Sequence, residues 1–306
     1  MSKKIVFMGT PDFAVKTLEV LSKSEYQIEC VYTQPPKKSS RGQKIKSSPV
    51  QILAENLKLK IKNPKNLNSE KEYEYLKSIN PYIIIVVAYG QIIPNKFLNL
   101  PKQGFINIHA SLLPKWRGAA PIQRSIMNQD KESGISFMQI KEGLDTGPYF
   151  KQIKVKIKKE TTAKNLSNTL AKLGAGNIIN CIKSIEENKA KFIKQDESQV
   201  TYAKKISKSE SKINWNESAS NIISKIHGLN PSPGAWFEHR GIRYKIWRAE
   251  VSNLLGDSGE ILHESLIIGC KKNSLKVLEI QKEGKNRLPI ADFLVGTRFS
   301  KGDKII

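Results

Sequence analysis

Cysteine is scarce in this chain, and the few residues that occur form no pattern. Cys30, Cys181 and Cys270 are odd in number and widely scattered, so neither a disulfide framework nor a cysteine metal site is indicated. We expect buried thiols in a reducing cytoplasm and no bound metal. A long apolar stretch is also lacking at the start, because a Gly-Thr-Pro turn soon ends the run in MSKKIVFMGTPDF. That run is too short for a signal-peptide core or a membrane span, so the sequence predicts a cytoplasmic protein.

The glycine-rich turn of dinucleotide-binding proteins is missing as well. The first predicted strand, 5–8, is followed by Gly9-Thr10-Pro11 where a Gly-x-Gly-x-x-Gly pattern would stand. This argues against a nicotinamide-dependent enzyme. Thr10 is instead expected to cap a helix that has Pro11 at its first position.

Acidic residues are few relative to basic ones. The chain has 51 Lys and Arg against 28 Asp and Glu, a net charge of +23. Such an excess favours a polyanionic partner, either nucleic acid or an anionic membrane surface, although genome base composition is an alternative cause. Residues 1–204 carry 34 basic and 17 acidic groups, and 205–306 carry 17 and 11. The charge is therefore not a basic tail, and its densest exposed cluster is predicted in a flexible loop, the basic segment 37–46 (KKSSRGQKIK).

Strand and helix signals alternate along the first 180 residues. Apolar, β-branched runs predict strands at 5–8, 28–33, 83–88, 105–108 and 135–140. Helices are predicted at 69–79, opened by a capping box of Ser69 and Glu72, at 118–129, and at 162–187 with an interruption near two glycines. The run 83–88 is apolar on both faces, as a central parallel strand would be. The pattern predicts a doubly wound, Rossmann-like α/β domain over 1–188.

The pattern changes in the last third of the chain. A polar, weakly periodic stretch at 189–211 is typical of a linker. Beyond it, 212–306 shows one helix at 219–229 and five short strands, at 235–238, 244–249, 259–263, 266–270 and 275–281. These predict a small antiparallel β-barrel as a second domain.

Three polar residues, at the end of one predicted strand and in a later loop, are candidates for a catalytic site. Asn107 and His109 are two apart at the end of the strand in FINIHASLLPKWRGAAP (105–121), so they share one face. Asp145 lies between two glycines in GLDTG (143–147). A strand-end histidine is often only a packing residue and an aspartate in such a loop only a turn former. The combination of amide, imidazole and carboxylate nevertheless predicts a catalytic site.

These motifs resemble the folate-dependent formyltransferase family. HASLLPKWRGAAPIQRSI from His109 and GLDTG carry the resemblance, and KIVFMGTPDFA (4–14) with HGLNPSPGAWF (227–237) extends it over essentially the whole chain. The full-length match is to the branch that formylates methionyl-tRNA. It implies an OB-like second domain that binds tRNA, and formyl transfer from 10-formyltetrahydrofolate to methionyl initiator tRNA, for translation initiation.

The resemblance also implies roles for particular residues. Asn107, His109 and Asp145 would be catalytic, and the turn of Ser111, Leu112, Leu113 and Pro114 would bind folate. The basic segment would meet the acceptor end of the tRNA through Lys37, Lys38, Arg41 and Lys44. A monomer that uses no metal is expected.

Three other functions remain open on the sequence. A relative that formylates a sugar amine, or that hydrolyses the formyl donor, would share the same catalytic residues. A non-catalytic nucleic-acid-binding module would account for the charge but would leave Asn107, His109 and Asp145 unexplained. A nicotinamide enzyme is disfavoured by the missing glycine pattern.

Overall fold

A computed structural model describes residues 3–39 and 44–305. The chain divides into two compact units. The first comprises Met1–Gly118, Gly134–Val155 and Ser167–Tyr202, and the second comprises Ala119–Ser133, Lys156–Leu166 and Ala203–Ile306.

The first 203 residues contain most of the α/β pattern. Their elements are β1 (Lys4–Gly9), α1 (Asp12–Ser22), β2 (Gln27–Tyr32), β3 (Lys37–Ser39), β4 (Lys44–Lys46), α2 (Pro49–Asn56), β5 (Ile61–Lys62), α3 (Glu70–Ile79), β6 (Ile83–Val87), β7 (Phe105–His109), β8 (Arg117–Gly118), α4 (Pro121–Met127), β9 (Glu132–Gln139), β10 (Tyr149–Lys156), α5 (Ala163–Glu186) and β11 (Tyr202–Ala203). Short 3-10 helices occur at Asn95–Phe97, Glu197–Gln199 and Ser209–Ser211.

A seven-stranded sheet forms the centre of the first unit, in the order β10-β9-β7-β6-β1-β2-β5. The pairs from β7 through β6, β1 and β2 to β5 are parallel, whereas β7 and β9 are antiparallel. Every residue of β6 is buried, which confirms the central strand predicted from its apolar run. The doubly wound α/β prediction is thus confirmed, and the antiparallel pairing of β7 with β9 is a feature that the sequence pattern did not indicate.

At two predicted helix starts, some of the capping contacts differ from those expected. Thr10 does not cap α1, because its hydroxyl donates to the carbonyl of Tyr89 at 2.7 Å and Pro11 stands at the cap position without a side-chain bond. Ser69 does cap α3 by accepting from the amide of Glu72. The Glu72 carboxylate, however, accepts from the Tyr32 hydroxyl at 2.7 Å instead of returning to Ser69. In both cases a long-range partner replaces the local one.

Two predicted helix bounds also change. The helix expected at 118–129 begins at Pro121, because Arg117 and Gly118 form β8 and pair with β11. α5 runs unbroken through the two glycines that were expected to interrupt it. A side chain at Gly174 would come 3.1 Å from Cγ2 of Ile108, so that glycine lets α5 pack closely on β7.

The second unit has an antiparallel sheet as its main feature. Its elements after residue 203 are α6 (Ala219–Gly228), β12 (Ala235–His239), β13 (Ile242–Ser252), β14 (Ile261–His263), β15 (Ile267–Gly269), β16 (Ser274–Lys282), β17 (Arg287–Pro289) and α7 (Ile290–Val295). The strand order is β12-β13-β16-β15-β14, with β17 paired to β16. The five predicted strands are confirmed, while β17 was missed because it is three residues long and exposed. Among the residues described, the pairing does not join β12 to β14, so closure into a barrel stays a prediction.

Candidate active site

The end of β7 brings an amide and an imidazole to one face of the sheet. Ile106 and Ile108 are 0% and 2% exposed, and they alternate with Asn107 and His109 along the strand, which puts the latter two on the opposite face. Asn107 is partly exposed and His109 is buried, with 5% of its surface accessible. The strand therefore supplies a rigid base for both side chains.

The carboxylate of Asp145 reaches this strand from the loop that joins β9 to β10. Its Oδ2 lies 3.5 Å from Nδ1 of His109 and accepts a hydrogen bond from the amide of Gly118 at 2.8 Å. Asp145 has a φ of 53°, in the left-handed region. This conformation is about 1 to 2 kcal/mol less favourable than the right-handed one for a residue with a side chain. The loop must therefore be held by other contacts, and it brings together two of the three predicted residues.

Both ring nitrogens of His109 face hydrogen-bond acceptors. Nε2 lies 2.9 Å from the carbonyl oxygen of Trp116, and Nδ1 faces the Asp145 carboxylate. A carbonyl oxygen only accepts, so Nε2 carries a hydrogen in this contact. Nδ1 is then the nitrogen left to face the Asp145 carboxylate, whose negative charge would stabilise a proton taken up there. The arrangement is suited to holding a proton and releasing it.

The turn after His109 is held by hydrogen bonds within itself and by others to β9 and β10. Ser111 donates to the carbonyl of Lys115 at 2.5 Å, and the amide of Leu113 donates to the hydroxyl of Ser136 at 3.0 Å. The carbonyl of Leu113 accepts from Gln152 at 2.8 Å, and its side chain is 2% exposed. Of the four predicted folate-binding residues, Leu112 and Pro114 are half-buried and keep accessible surface.

The ends of the basic segment are more ordered than a loop. β3 and β4 pair antiparallel, with Lys37 opposite Lys46. Lys37 is exposed and donates to Gln34 at 2.7 Å, and Gln34 in turn donates to the carbonyl of Gly90 at 2.8 Å. The start of β3 is therefore tied to the loop that leaves β6. Arg41, and the side chains of Lys38 and Lys44, lie outside the described residues.

Comparison with known families agrees with this geometry. The formyl transferase family model matches residues 3–182, and the model of the formyl transferase C-terminal domain matches residues 205–298. The chain belongs to the formyl transferase family. This confirms the family resemblance of the motifs around His109 and Asp145.

Two proteins named methionyl-tRNA formyltransferase are similar to this formyl transferase over all or most of its length. A protein from Pelagibacter ubique named methionyl-tRNA formyltransferase is 53% identical over 307 residues, covering 100% of this chain and 99% of that protein. The structure of a methionyl-tRNA formyltransferase from Clostridium thermocellum matches 82% of this chain and 94% of its own, with a TM-score of 0.59 and 19% identity.

HypX from Aquifex aeolicus, solved in complex with tetrahydrofolic acid, matches 100% of this chain with a TM-score of 0.68 and 15% identity. This formyl transferase spans 51% of that longer chain. At such identities the two structural likenesses establish the shared fold.

Sequence reasoning missed two buried polar residues of this formyl transferase next to the site. Arg117 donates from Nε to Gln195 at 3.0 Å, and Gln195 donates to the carbonyls of Asp145 and Gly147. Arg117 is part of the motif run and its charge was a usable signal. Gln195 carries no such signal, because it lies in the polar stretch that was expected to be a linker.

In the ranges 3–39 and 44–305, no group of three or more His, Cys, Asp or Glu side chains could hold a metal ion. No helix in the described part of the chain has the length and apolar character needed to cross a membrane.

The predicted burial of the three cysteines is confirmed, and burial raises the pKa of each thiol to about 12.

Proposed function

We propose that this formyl transferase transfers the formyl group of 10-formyltetrahydrofolate to the α-amino group of methionyl initiator tRNA, giving formylmethionyl-tRNA. The observation that carries the proposal is the end-to-end similarity, at 53% identity, to a protein named methionyl-tRNA formyltransferase. It extends over both units of the chain, whereas a shared catalytic motif would extend only over the first.

Asn107 is proposed to stabilise the charge that develops on the formyl oxygen. When the amine attacks the formyl carbon, the carbonyl oxygen becomes negative, and the amide N–H group of Asn107 can donate to it. Removing one such preorganised donor typically costs about 2.7 to 4 kcal/mol of transition-state stabilisation. Asn107 is partly exposed on a rigid strand, which suits a donor that must reach a substrate.

His109 and Asp145 are proposed to handle the proton of the reaction. The amine loses one proton as its new bond to the formyl carbon forms, and the folate nitrogen gains one as its bond to that carbon breaks. His109 can take up and return that proton while the Asp145 carboxylate, 3.5 Å away, stabilises the charged ring. The reaction therefore needs no net proton from solvent.

The folate is proposed to lie against the turn 111–114. Leu112 and Pro114 keep accessible surface there, and two further apolar side chains, Ile92 and Leu144, are 89% and 61% exposed in the loops after β6 and β9. Exposed apolar side chains of this size are suited to cover a flat heterocycle. The donor supplies the formyl group and is consumed as a substrate.

The tRNA is proposed to meet the basic segment through Lys37, Lys38, Arg41 and Lys44. The net charge of +23 supports a polyanionic substrate. The bond from Gln34 to Gly90 supports it further, because it ties the start of this segment to a loop beside the strand that carries His109. An arginine can hold a phosphate with two hydrogen bonds or stack on an unpaired base.

The remaining proposals concern organisation. We propose a catalytic domain over 1–188, a linker over 189–211 and a tRNA-binding, OB-like domain over 212–306. The protein is proposed to act as a monomer in the cytoplasm.

The test is a formylation assay with three acceptors. Purified protein is incubated with 10-formyltetrahydrofolate and, separately, charged initiator tRNA, a nucleotide-linked amino sugar, or buffer alone. Formylmethionine on the tRNA is the expected product, and formyl transfer to the sugar or to water at a higher rate would contradict the proposal.

Alanine at Asn107, His109 or Asp145 should lower kcat by about a hundredfold or more while the protein stays folded. Near-wild-type turnover of His109→Ala would remove that residue from the mechanism.

A further inference from the structure

Arg117 is buried beside the candidate site. Its side chain is 1% exposed and is the largest fully buried side chain among the residues described. Its guanidinium donates to both carboxylate oxygens of Glu197, at 2.8 and 3.2 Å, and from Nε to Oε1 of Gln195. Glu197 is 66% exposed, so this ion pair could form without burying the arginine. Gln195, by contrast, is 3% exposed, so its contact with Arg117 is a buried one.

Gln195 uses its whole amide group. It is 3% exposed, and its Nε2 donates to the carbonyl of Asp145 and to that of Gly147, both at 2.7 Å. Its Oε1 accepts from Arg117. The opposite orientation of the amide would set its oxygen against two carbonyl oxygens and its nitrogen against a donor. Arg117 therefore determines which way the amide of Gln195 points.

The backbone around Arg117 contacts the same pair of side chains. The carbonyl of Trp116 faces Nε2 of His109 at 2.9 Å, and the amide of Gly118 donates to Oδ2 of Asp145 at 2.8 Å. Three consecutive residues thus touch His109 through a carbonyl, Gln195 through a guanidinium and Asp145 through an amide. These contacts close a hydrogen-bonded ring around the His109 and Asp145 pair.

We propose that Gln195, oriented by Arg117, is a positioning residue that sets the Asp145 carboxylate against the ring of His109. Asp145 lies in the left-handed region of φ, which is strained for a residue with a side chain. Without the hydrogen bond from Gln195 to its carbonyl, we expect its backbone to shift to a less strained conformation. A shift of about 1 Å at a reacting group can cost about a hundredfold in rate. The inference rests on the proposed function, since that function makes the pair catalytic.

The first test separates turnover from binding. Gln195→Leu removes the donors and the acceptor at similar size, and we expect kcat to fall by about 10- to 100-fold while the KM values for donor and tRNA stay within about threefold. Gln199→Leu is the matched control, because Gln199 is exposed in the same segment and donates to Asp196. Its kcat should equal that of the wild type. A kcat of Gln195→Leu within threefold of that control would overturn the proposal.

A second variant guards against misfolding. Gln195→Glu keeps the shape and the acceptor for Arg117, but it sets an oxygen against the carbonyls of Asp145 and Gly147. We expect the same loss of kcat as in Gln195→Leu, and full activity would overturn the proposal. In an Asp145→Ala background, Gln195→Leu should change kcat by less than about threefold, because the group it positions is gone. A full additional loss there would show a merely structural role.

A third readout needs no substrate and so is independent of the proposed function. The chain has four histidines, so the ring C–H resonance of His109 can be assigned by its disappearance in His109→Gln. We expect this resonance to move in Gln195→Leu in the direction in which it moves in Asp145→Ala, and to stay in place in Gln199→Leu. An unmoved resonance would overturn the positioning role. A moved resonance in a protein that does not formylate tRNA would instead refute the proposed function alone.

Discussion

A single methyl group at Gly147 is expected to disable the site without touching a catalytic side chain. Gly147 lies beside the end of β9, and a Cβ there would come 2.9 Å from the carbonyl carbon of Gln139 and closer still to its oxygen. Carbon atoms pack at about 3.5 to 4.0 Å, so the two segments must separate by about 1 Å. The amide of Gln139 also donates to the carbonyl of Pro148, and β9 is largely buried. The loop, and not the strand, is therefore expected to move.

The consequence for Gly147→Ala follows from what the loop carries. Gly147 and Asp145 are held by the same amide of Gln195, so a displaced Gly147 moves the Asp145 carboxylate away from His109. A displacement of about 1 Å predicts a loss of about a hundredfold in kcat. Overpacking of this kind also costs about 1 to 3 kcal/mol of stability.

The assay is single-turnover formylation of charged initiator tRNA, with the thermal unfolding midpoint measured in parallel. Gly176→Ala is the matched control, because Gly176 lies in α5 with no atom within 4 Å of an added Cβ. Alanine there should leave the rate unchanged and stabilise the helix by about 0.5 to 1 kcal/mol. A folded Gly147→Ala protein with a rate within threefold of this control would refute the reasoning.

Three further changes have defined outcomes. Asp145→Asn keeps an acceptor for Gly118 but removes the charge beside His109, so the low-pH limb of the kcat profile should disappear or move; an unchanged profile would contradict the assigned role. Arg41→Ala should slow formylation of tRNA but not the slow release of formate to water, and the wild-type KM for tRNA should rise steeply with salt; an unchanged rate would contradict this. The guanidinium of Arg124 holds the pKa of Glu210 at about 2, below its usual 4.5. This ion pair therefore contributes fully to the free energy of unfolding above pH 4.5, and its contribution is lost as the pH falls through 2. Glu210→Gln should lower the free energy of unfolding by about 1 to 2 kcal/mol at neutral pH, after solvent screening. In urea unfolding, this difference from the wild type should become smaller as the pH is lowered.

The parts of the fold that could be predicted are those set by local pattern. The run 83–88 is apolar on both faces, and only a central strand buries both faces of such a run. The antiparallel direction of β9 left no trace in the sequence, because the side-chain alternation of a strand is the same in either direction. The start of α4 was predicted too early because β8 pairs with β11, some 85 residues away in sequence. Pairings of that range depend on the assembled fold and not on the local residues.

The candidate site likewise contains residues that local sequence pattern predicts and residues that it does not. Asn107 and His109 could be predicted to share a face, since two positions on one strand are related by the strand period alone. That Asp145 joins them in one site was predicted from the combination of amide, imidazole and carboxylate and was also implied by the family resemblance, but no spacing rule gives its approach to His109. Gln195 could not have been found, because it lies 50 residues beyond Asp145 in a polar stretch where an exposed glutamine is the ordinary expectation.

This division explains where substitutions should act. His109 stands on β7, which pairs with a strand on each side and so has little freedom to move. Asp145 stands on a loop whose position depends on a few hydrogen bonds, of which Gln195 supplies two. Substitutions of the strand residues should therefore abolish turnover. Substitutions around the loop should instead lower kcat by degrees, because they change the distance between Asp145 and His109. From the roles proposed for His109 and Asp145, we therefore expect the loop to be where the rate of this formyl transferase can be changed while its fold is retained.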